Sequence, residues 1–285
     1  MNDIRDIRRT INQDIVKKIF SNKANAIAFL ELYNKDKKAL QKQSPADLFS
    51  EIVKLWQYDD AKVKIRTLFK TLPKFENGLN GEQNMAILLQ EWETLGFGKV
   101  GWPFSQGQFD SFVQSINAEN SARSEKDEKV KTAAVKYRRI KELNTERNDF
   151  LETLVFLKNE NILPTLSHTK GVDFFIDGIS YDQKVARSPT NEFKRDFGDH
   201  WKDYAIAHPE KVAEYLYKYQ DEGRFGASPR LFVVYLDEEI SPIEIRNIID
   251  KTNLTTPYSI TFSFNHKDNG IKTYKTEAFV ILLHH

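Results

Sequence analysis

The sequence contains no cysteine. That removes disulfides, a thiolate nucleophile and any zinc site built on thiolates, and it suits a cytoplasmic protein. No apolar run is long enough to cross a bilayer, so no membrane partner is expected. Residues 1–9 mix acids and bases and lack the basic-then-apolar plan of a secretion signal. There is no Gly-x-x-x-x-Gly-Lys-Ser/Thr loop, which argues against coupling to ATP. The histidines His168, His200, His208 and His266 have no metal-ligand spacing, and no Ser/His/Asp grouping stands out. Internal repeats and low-complexity tracts are absent too. The net charge is only +1, so binding to a polyanion would rest on a local basic patch.

What is present is an ordinary globular composition over 285 residues, enough for one large domain or two modest ones. The first half reads as helical. Ser44-Pro45-Ala46-Asp47 is a helix start, with a serine cap, proline in the first turn and an acid near the positive end of the dipole. Leu48, Phe49, Ile52, Val53 and Trp56 follow at helical spacing, and Leu88, Leu89, Trp92 and Leu95 form a second stripe. Core packing is expected for both. Residues 117–130 are polar and read as a linker or an exposed helix start. Lys129, Lys131, Lys136, Arg138, Arg139 and Lys141 then place six cations in thirteen residues with no acid between them. They form either a solvated helix face or a face that contacts phosphates.

From about Leu151 the pattern changes. A helix closes, residues 162–169 make a short strand, and residues 172–186 make a hairpin. Helix follows over residues 200–221, split at His208-Pro209. A buried strand at 231–236, a capped helix from Ser241-Pro242, and strands at 258–264 and 279–283 complete the order. This predicts an α/β or α+β fold, with a mainly helical region over residues 1–128 and a mixed sheet flanked by helices over 129–285.

The hairpin carries the chemistry. Asp177-Gly178 between two apolar runs fits a two-residue type I′ turn, whose central positions need positive φ. Such a turn fixes the register. Ile176 faces Ile179, and counting outwards Asp173 falls opposite Asp182, with Cβ atoms about 4.5–5.5 Å apart. Lys184 lies on the same face as Asp182. Val172, Phe174, Ile176, Ile179, Tyr181 and Val185 take the other, core-facing side. Facing carboxylates repel, and a Mg²⁺ ion held by Asp173 and Asp182 would relieve the repulsion. A metal placed there could position and acidify a water, and the lysine could contact that water or phosphate oxygens.

The segment around Asp173, Asp182-Gln183-Lys184 resembles the PD-(D/E)XK nuclease superfamily, which includes many restriction endonucleases. The order helix, three-strand meander, helix, strand over roughly residues 140–240 fits that family's core. Val172 stands where the family often has proline. The resemblance implies a restriction-endonuclease-like fold and Mg²⁺-dependent hydrolysis of double-stranded DNA. It gives Asp173 and Asp182 as metal-holding acids, Gln183 as a backbone-carbonyl ligand and Lys184 as the lysine that assists the water. It also implies a glutamate on the preceding helix, for which Glu152 and Glu146 are candidates, Glu152 the nearer. Lys170 and Arg187 flank the hairpin and, with Lys136, Arg138 and Arg139, are candidate phosphate contacts. A stand-alone chain of this kind resembles a type II restriction endonuclease, which implies a homodimer and a cognate DNA methyltransferase. Two alternatives stay open: a repair or defence nuclease without sequence specificity, and a non-catalytic DNA-binding or assembly protein on the same fold.

Gly96-Phe97-Gly98-Lys99-Val100-Gly101 matches the dinucleotide fingerprint as a bare pattern. A helical stripe precedes it and Trp102-Pro103 follows, so an irregular loop anchored by Trp102 and Phe104 is expected instead.

Overall fold

Apolar residues that recur every three or four positions between good caps fold the first part of the chain into short helices. In the computed structural model, which describes residues 6–101, 106–169, 171–237 and 239–285, they are α1 (Gln13–Phe20), α2 (Lys23–Glu31), α3 (Lys37–Gln41), α4 (Pro45–Leu55), α5 (Tyr58–Phe69), α6 (Pro73–Leu79), α7 (Gly81–Thr94) and α8 (Gln106–Ala118). Helix α4 starts as its sequence predicts. Ser44 and Asp47 form a reciprocal capping box, Pro45 opens the first turn, and Leu48, Phe49 and Ile52 are buried.

The remaining elements are α9 (Arg123–Lys158), β1 (Ile162–Thr169), β2 (Val172–Ile176), β3 (Ile179–Ala186), α10 (Asn191–Phe197), α11 (Trp201–Ala207), α12 (Pro209–Lys218), β4 (Arg230–Tyr235), α13 (Pro242–Lys251), β5 (Tyr258–His266) and β6 (Gly270–Leu283). The strands form one mixed sheet in the order β1-β2-β3-β4-β6-β5. β1, β2 and β3 are a meander of antiparallel neighbours. β3, β4 and β6 run parallel, and β5 returns antiparallel beside β6. The fold is therefore mixed α/β. His208-Pro209 does separate two helices, α11 and α12.

The chain divides into two compact units, residues 1–72 with 154–285, and residues 73–153. The boundary expected at residue 128 falls inside α9, where an unbroken helix leaves no linker. In the first unit, Phe193, Val212, Ala213 and Tyr217 from the α10–α12 segment pack on Phe232, Val234, Phe262 and Val280 of the sheet. Every residue of β4 is buried, as expected of a central strand that needs apolar side chains on both faces. Helix α13 begins with a second capping box, made by Ser241 and Glu244. Among the described residues, no helix is long and apolar enough to cross a membrane.

The second unit is built differently. Its core includes Phe75, Met85, Trp92, Ile116, Ile140 and Phe150. The stripe expected to pack along α7 does so only in part: Trp92 is buried, but Leu89 and Leu95 are 38% and 43% exposed. Small residues let backbones approach instead. A methyl group at Gly81 would lie 2.7 Å from the Cβ of Phe150. The Gly96–Gly101 pattern is a loop after α7, with positive φ at Gly96 and Gly98 and the Trp92 Nε1–H donating to the Gly98 carbonyl at 2.7 Å. Its expected anchors, Trp102 and Phe104, lie outside the described residues.

Candidate active site

The hairpin forms as its turn chemistry requires. Asp177 and Gly178 both have positive φ, 48° and 78°. Ile176 pairs with Ile179, Phe175 with Ser180 and Phe174 with Tyr181. β2 is buried at Val172, Phe174, Phe175 and Ile176, and only Asp173 is half-exposed. The N-terminal segment supports this end of β3: Asp6 bridges Ile179 and the Ile7 N–H donates to the Gly178 carbonyl at 2.9 Å.

The β2–β3 ladder runs out to Phe174 and Tyr181, and the next pair outward, Asp173 with Asp182, is not bonded in it. From Asp182 onward β3 pairs in parallel with β4, Asp182 beside Arg230 and Lys184 beside Phe232. The Asp182 N–H donates to the Pro229 carbonyl at 3.1 Å. In a continued hairpin the Gln183 N–H would go to the Val172 carbonyl. Here the Asp173 Oδ2 accepts it at 2.7 Å. A side chain of β2 thus takes the hydrogen bond that its backbone would accept in a continued hairpin, and the ladder to β2 ends where pairing with β4 begins, a fork in the pairing of β3. N–H and C=O of one strand residue point the same way, so the Gln183 carbonyl also faces the side from which β2 has parted.

Asp182 and Lys184 share a face of β3, and their side chains meet: Nζ donates to Oδ2 at 2.8 Å. Asp182 is buried and Lys184 is exposed. Arg230 brings a second cation, its Nε 3.9 Å from the same Asp182 oxygen. Two cations against one buried carboxylate make a locally electropositive spot in a chain of near-zero net charge. Lys184 and Arg230 both line a cleft of about 290 Å³, together with Ala186, Thr190, Leu216, Tyr219, Gln220, Asp221 and Phe232.

Arg230 escaped the sequence reading. It is the one charged residue in an otherwise apolar and aromatic strand, Arg230-Leu231-Phe232-Val233-Val234-Tyr235. That contrast was visible, but its partner depends on which strand lies beside β3. A buried arginine must be held by neighbours, and this one is. Its Nη2 donates to the Gln220 Oε1 at 3.1 Å and its guanidinium lies over the Tyr217 ring at 5.0 Å. Gln220 also accepts from the Gly226 N–H at 3.0 Å. Burial pushes the Tyr217 phenol above its usual range, and its O–H donates to the Ser228 carbonyl at 2.8 Å.

The other sequence candidates are placed as follows. Glu152 is buried and ion-paired with Lys74, within the second unit. Glu146 accepts from the Asn84 Nδ2 at 2.9 Å in the same unit. Arg139 is half-buried and paired with Glu91 and Glu142 at 2.5 and 3.2 Å, and Lys136 lies 5.1 Å from the centre of the Phe97 ring. Those two are engaged by their own unit. Arg138 and Arg187 are exposed. Lys170 lies outside the described residues. His266 is held between Glu222 and the Tyr274 hydroxyl at 2.9 and 2.7 Å, so both ring nitrogens are satisfied.

No protein-family model, curated protein or solved structure matches this chain. The site therefore stands on its own geometry. Its oxygen donors are two carboxylates and the Gln183 carbonyl, a hard set that suits Mg²⁺, which keeps several waters and needs only one or two carboxylates. It does not suit zinc. Among the described residues there is no group of three or more His, Cys, Asp and Glu side chains able to hold a metal ion.

Proposed function

We propose that the chain is a Mg²⁺-dependent phosphodiester hydrolase that cuts double-stranded DNA. One observation carries this reading: where the β2–β3 ladder ends and the pairing of β3 with β4 begins, Asp173 accepts from the Gln183 N–H and the neighbouring Asp182 pairs with Lys184. Along the chain a helix, a three-strand antiparallel meander, further helices and a parallel fourth strand follow one another around those residues. This order supports a restriction-endonuclease-like core.

Asp173, Asp182 and the Gln183 carbonyl would hold the ion. When bound, Mg²⁺ supplies a water of lowered pKa and charge stabilisation at the phosphate. The chain's own groups do the rest. Asp173 is oriented by the Gln183 N–H, which fixes one carboxylate oxygen and directs the other. Asp182 is held between Lys184 and Arg230. Lys184 is exposed on the cleft, so its ammonium can pass from the Asp182 oxygen to a phosphate oxygen or to the attacking water.

The finer reading is sequence-specific restriction. The test is incubation of plasmid and phage DNA with Mg²⁺ or with EDTA, beside Asp182→Ala. Discrete fragments that need Mg²⁺ and vanish in the variant support both readings. Smearing that vanishes likewise keeps the hydrolase and drops the specificity. DNA bound but never cut favours a binding protein on this fold, and cutting that survives Asp182→Ala removes the site.

A further inference from the structure

The cleft beside Lys184 contains a built group that the proposed hydrolysis uses only as a neighbour of Asp182. Arg230 is 93% buried, being only 7% exposed. Its Nη2 is tied to Gln220 and its ring-facing side to Tyr217, which lock the guanidinium in place. Gly226 allows the close fit, since a methyl group there would come within 2.9 Å of Nη2. Yet the buried Nε–H has no hydrogen-bond partner, and Asp182 stands off at 3.9 Å. A buried donor left unpaired is costly, more so when it is charged. A planar guanidinium with donors to spare matches the two oxygens of a phosphate.

We propose that this cleft is an oxyanion site in which Arg230, preset by Gln220 and Tyr217, anchors one phosphate of a nucleic-acid backbone, with Lys184 at its open side. The assignment rests on the nuclease reading for the source of the phosphate, and on the cleft alone for the chemistry. Thr190 adds a hydroxyl to the wall. Asp182 already faces two cations, and Asp221 at the rim is exposed and solvated. Arg230 acts here as a binding residue that recognises charge and shape, not bases.

The experiment uses the full chain in a Mg²⁺ buffer and titrates inorganic phosphate against chloride at constant ionic strength, following Tm. The wild type should show a saturable rise. Arg230→Gln and Lys184→Ala should weaken phosphate binding about tenfold or more, the loss of a charged hydrogen bond. Gly226→Ala keeps every charge but displaces the guanidinium, and it should also weaken binding. It carries the test if Arg230→Gln does not fold. Lys218→Ala, a cation outside this cleft, should bind as the wild type does. No saturable rise, or an equal rise in all variants, overturns the site and leaves Arg230 as a counter-ion of Asp182. Competition between free phosphate and DNA cutting, at matching concentrations, supports a backbone phosphate as the occupant. Phosphate binding by a chain that cuts no DNA keeps the oxyanion site and removes the nuclease reading. Cutting with no phosphate response does the opposite.

Discussion

The two compact units solve the same problem, burying enough apolar surface, by different means. In the unit of residues 1–72 and 154–285, a sheet offers flat apolar rows and helices lay regular stripes on them. In the unit of residues 73–153, helices pack on helices, and glycines at Gly78 and Gly81 admit Thr153 and Phe150 where larger residues would keep them apart. Stripes can be read from a sequence, because their period is the period of the element. Close backbone approach cannot, because a glycine that admits a neighbour looks like any other glycine. The comparison also separates chemistry from architecture: Asp173, Asp182, Lys184 and Arg230 belong to the sheet unit, while Glu152 spends its charge on Lys74 in the helical one.

The largest effect should come from the fork. Lys184→Ala is expected to lower Mg²⁺-dependent cutting by about 10²–10⁴-fold, while the urea midpoint falls only modestly, because the lysine is exposed and Arg230 remains near the buried Asp182. A fall in the midpoint as large as that of a core truncation would place Lys184 in the scaffold. Next, Phe232→Ala removes a ring from the sheet unit's core and should cost about 3–5 kcal/mol in denaturant unfolding. Gly81→Ala forces a methyl group against Phe150 and should cost about 1–3 kcal/mol. If it were neutral, the account of the helical unit given above would fail.

A smaller effect is expected at α13. Glu244 accepts from the Ser241 N–H and hydroxyl and from His285, which hold its carboxyl down at about 2. A depressed folded pKa contributes stability above the ordinary carboxylate range, lost as pH falls from the ordinary value of 4.5 toward 2. Ser241→Ala should remove about 0.5–2 kcal/mol at neutral pH and flatten that acid-side decline, as urea midpoints across the range would report. The smallest change should be Leu89→Ala on α7, about 1 kcal/mol or less because more than a third of the residue is already in water. A cost like that of Phe232→Ala would mean the stripe is packed after all.

Much of the sheet unit was legible. Asp177-Gly178 set the turn and three pairs of register, Ser44-Pro45 and Ser241-Pro242 set helix starts, and the unbroken apolar run after Arg230 marked a central strand. These signals are local, each decided within a few residues. What was missed is non-local. Register counted from the turn carries the ladder on to Asp173 and Asp182, and nothing nearby says that the Asp173 side chain will take the Gln183 N–H and end it at Tyr181. Arg230 joined the site for the same reason. Residues 117–130 were open between a linker and an exposed helix start because polar composition suits both, and a long helix starts within them.

The fork of β3 also bears on the order in which the molecule can assemble. Its first half closes across a two-residue turn, an event of about 1–10 μs in isolated hairpins. Its second half must wait for β4, which arrives only after three helices have been threaded between them. Pairings of such long reach are slow to form. A refolding chain should therefore gain its hairpin well before it gains a site, and the cleft that Lys184 and Arg230 share should be among the last features to close.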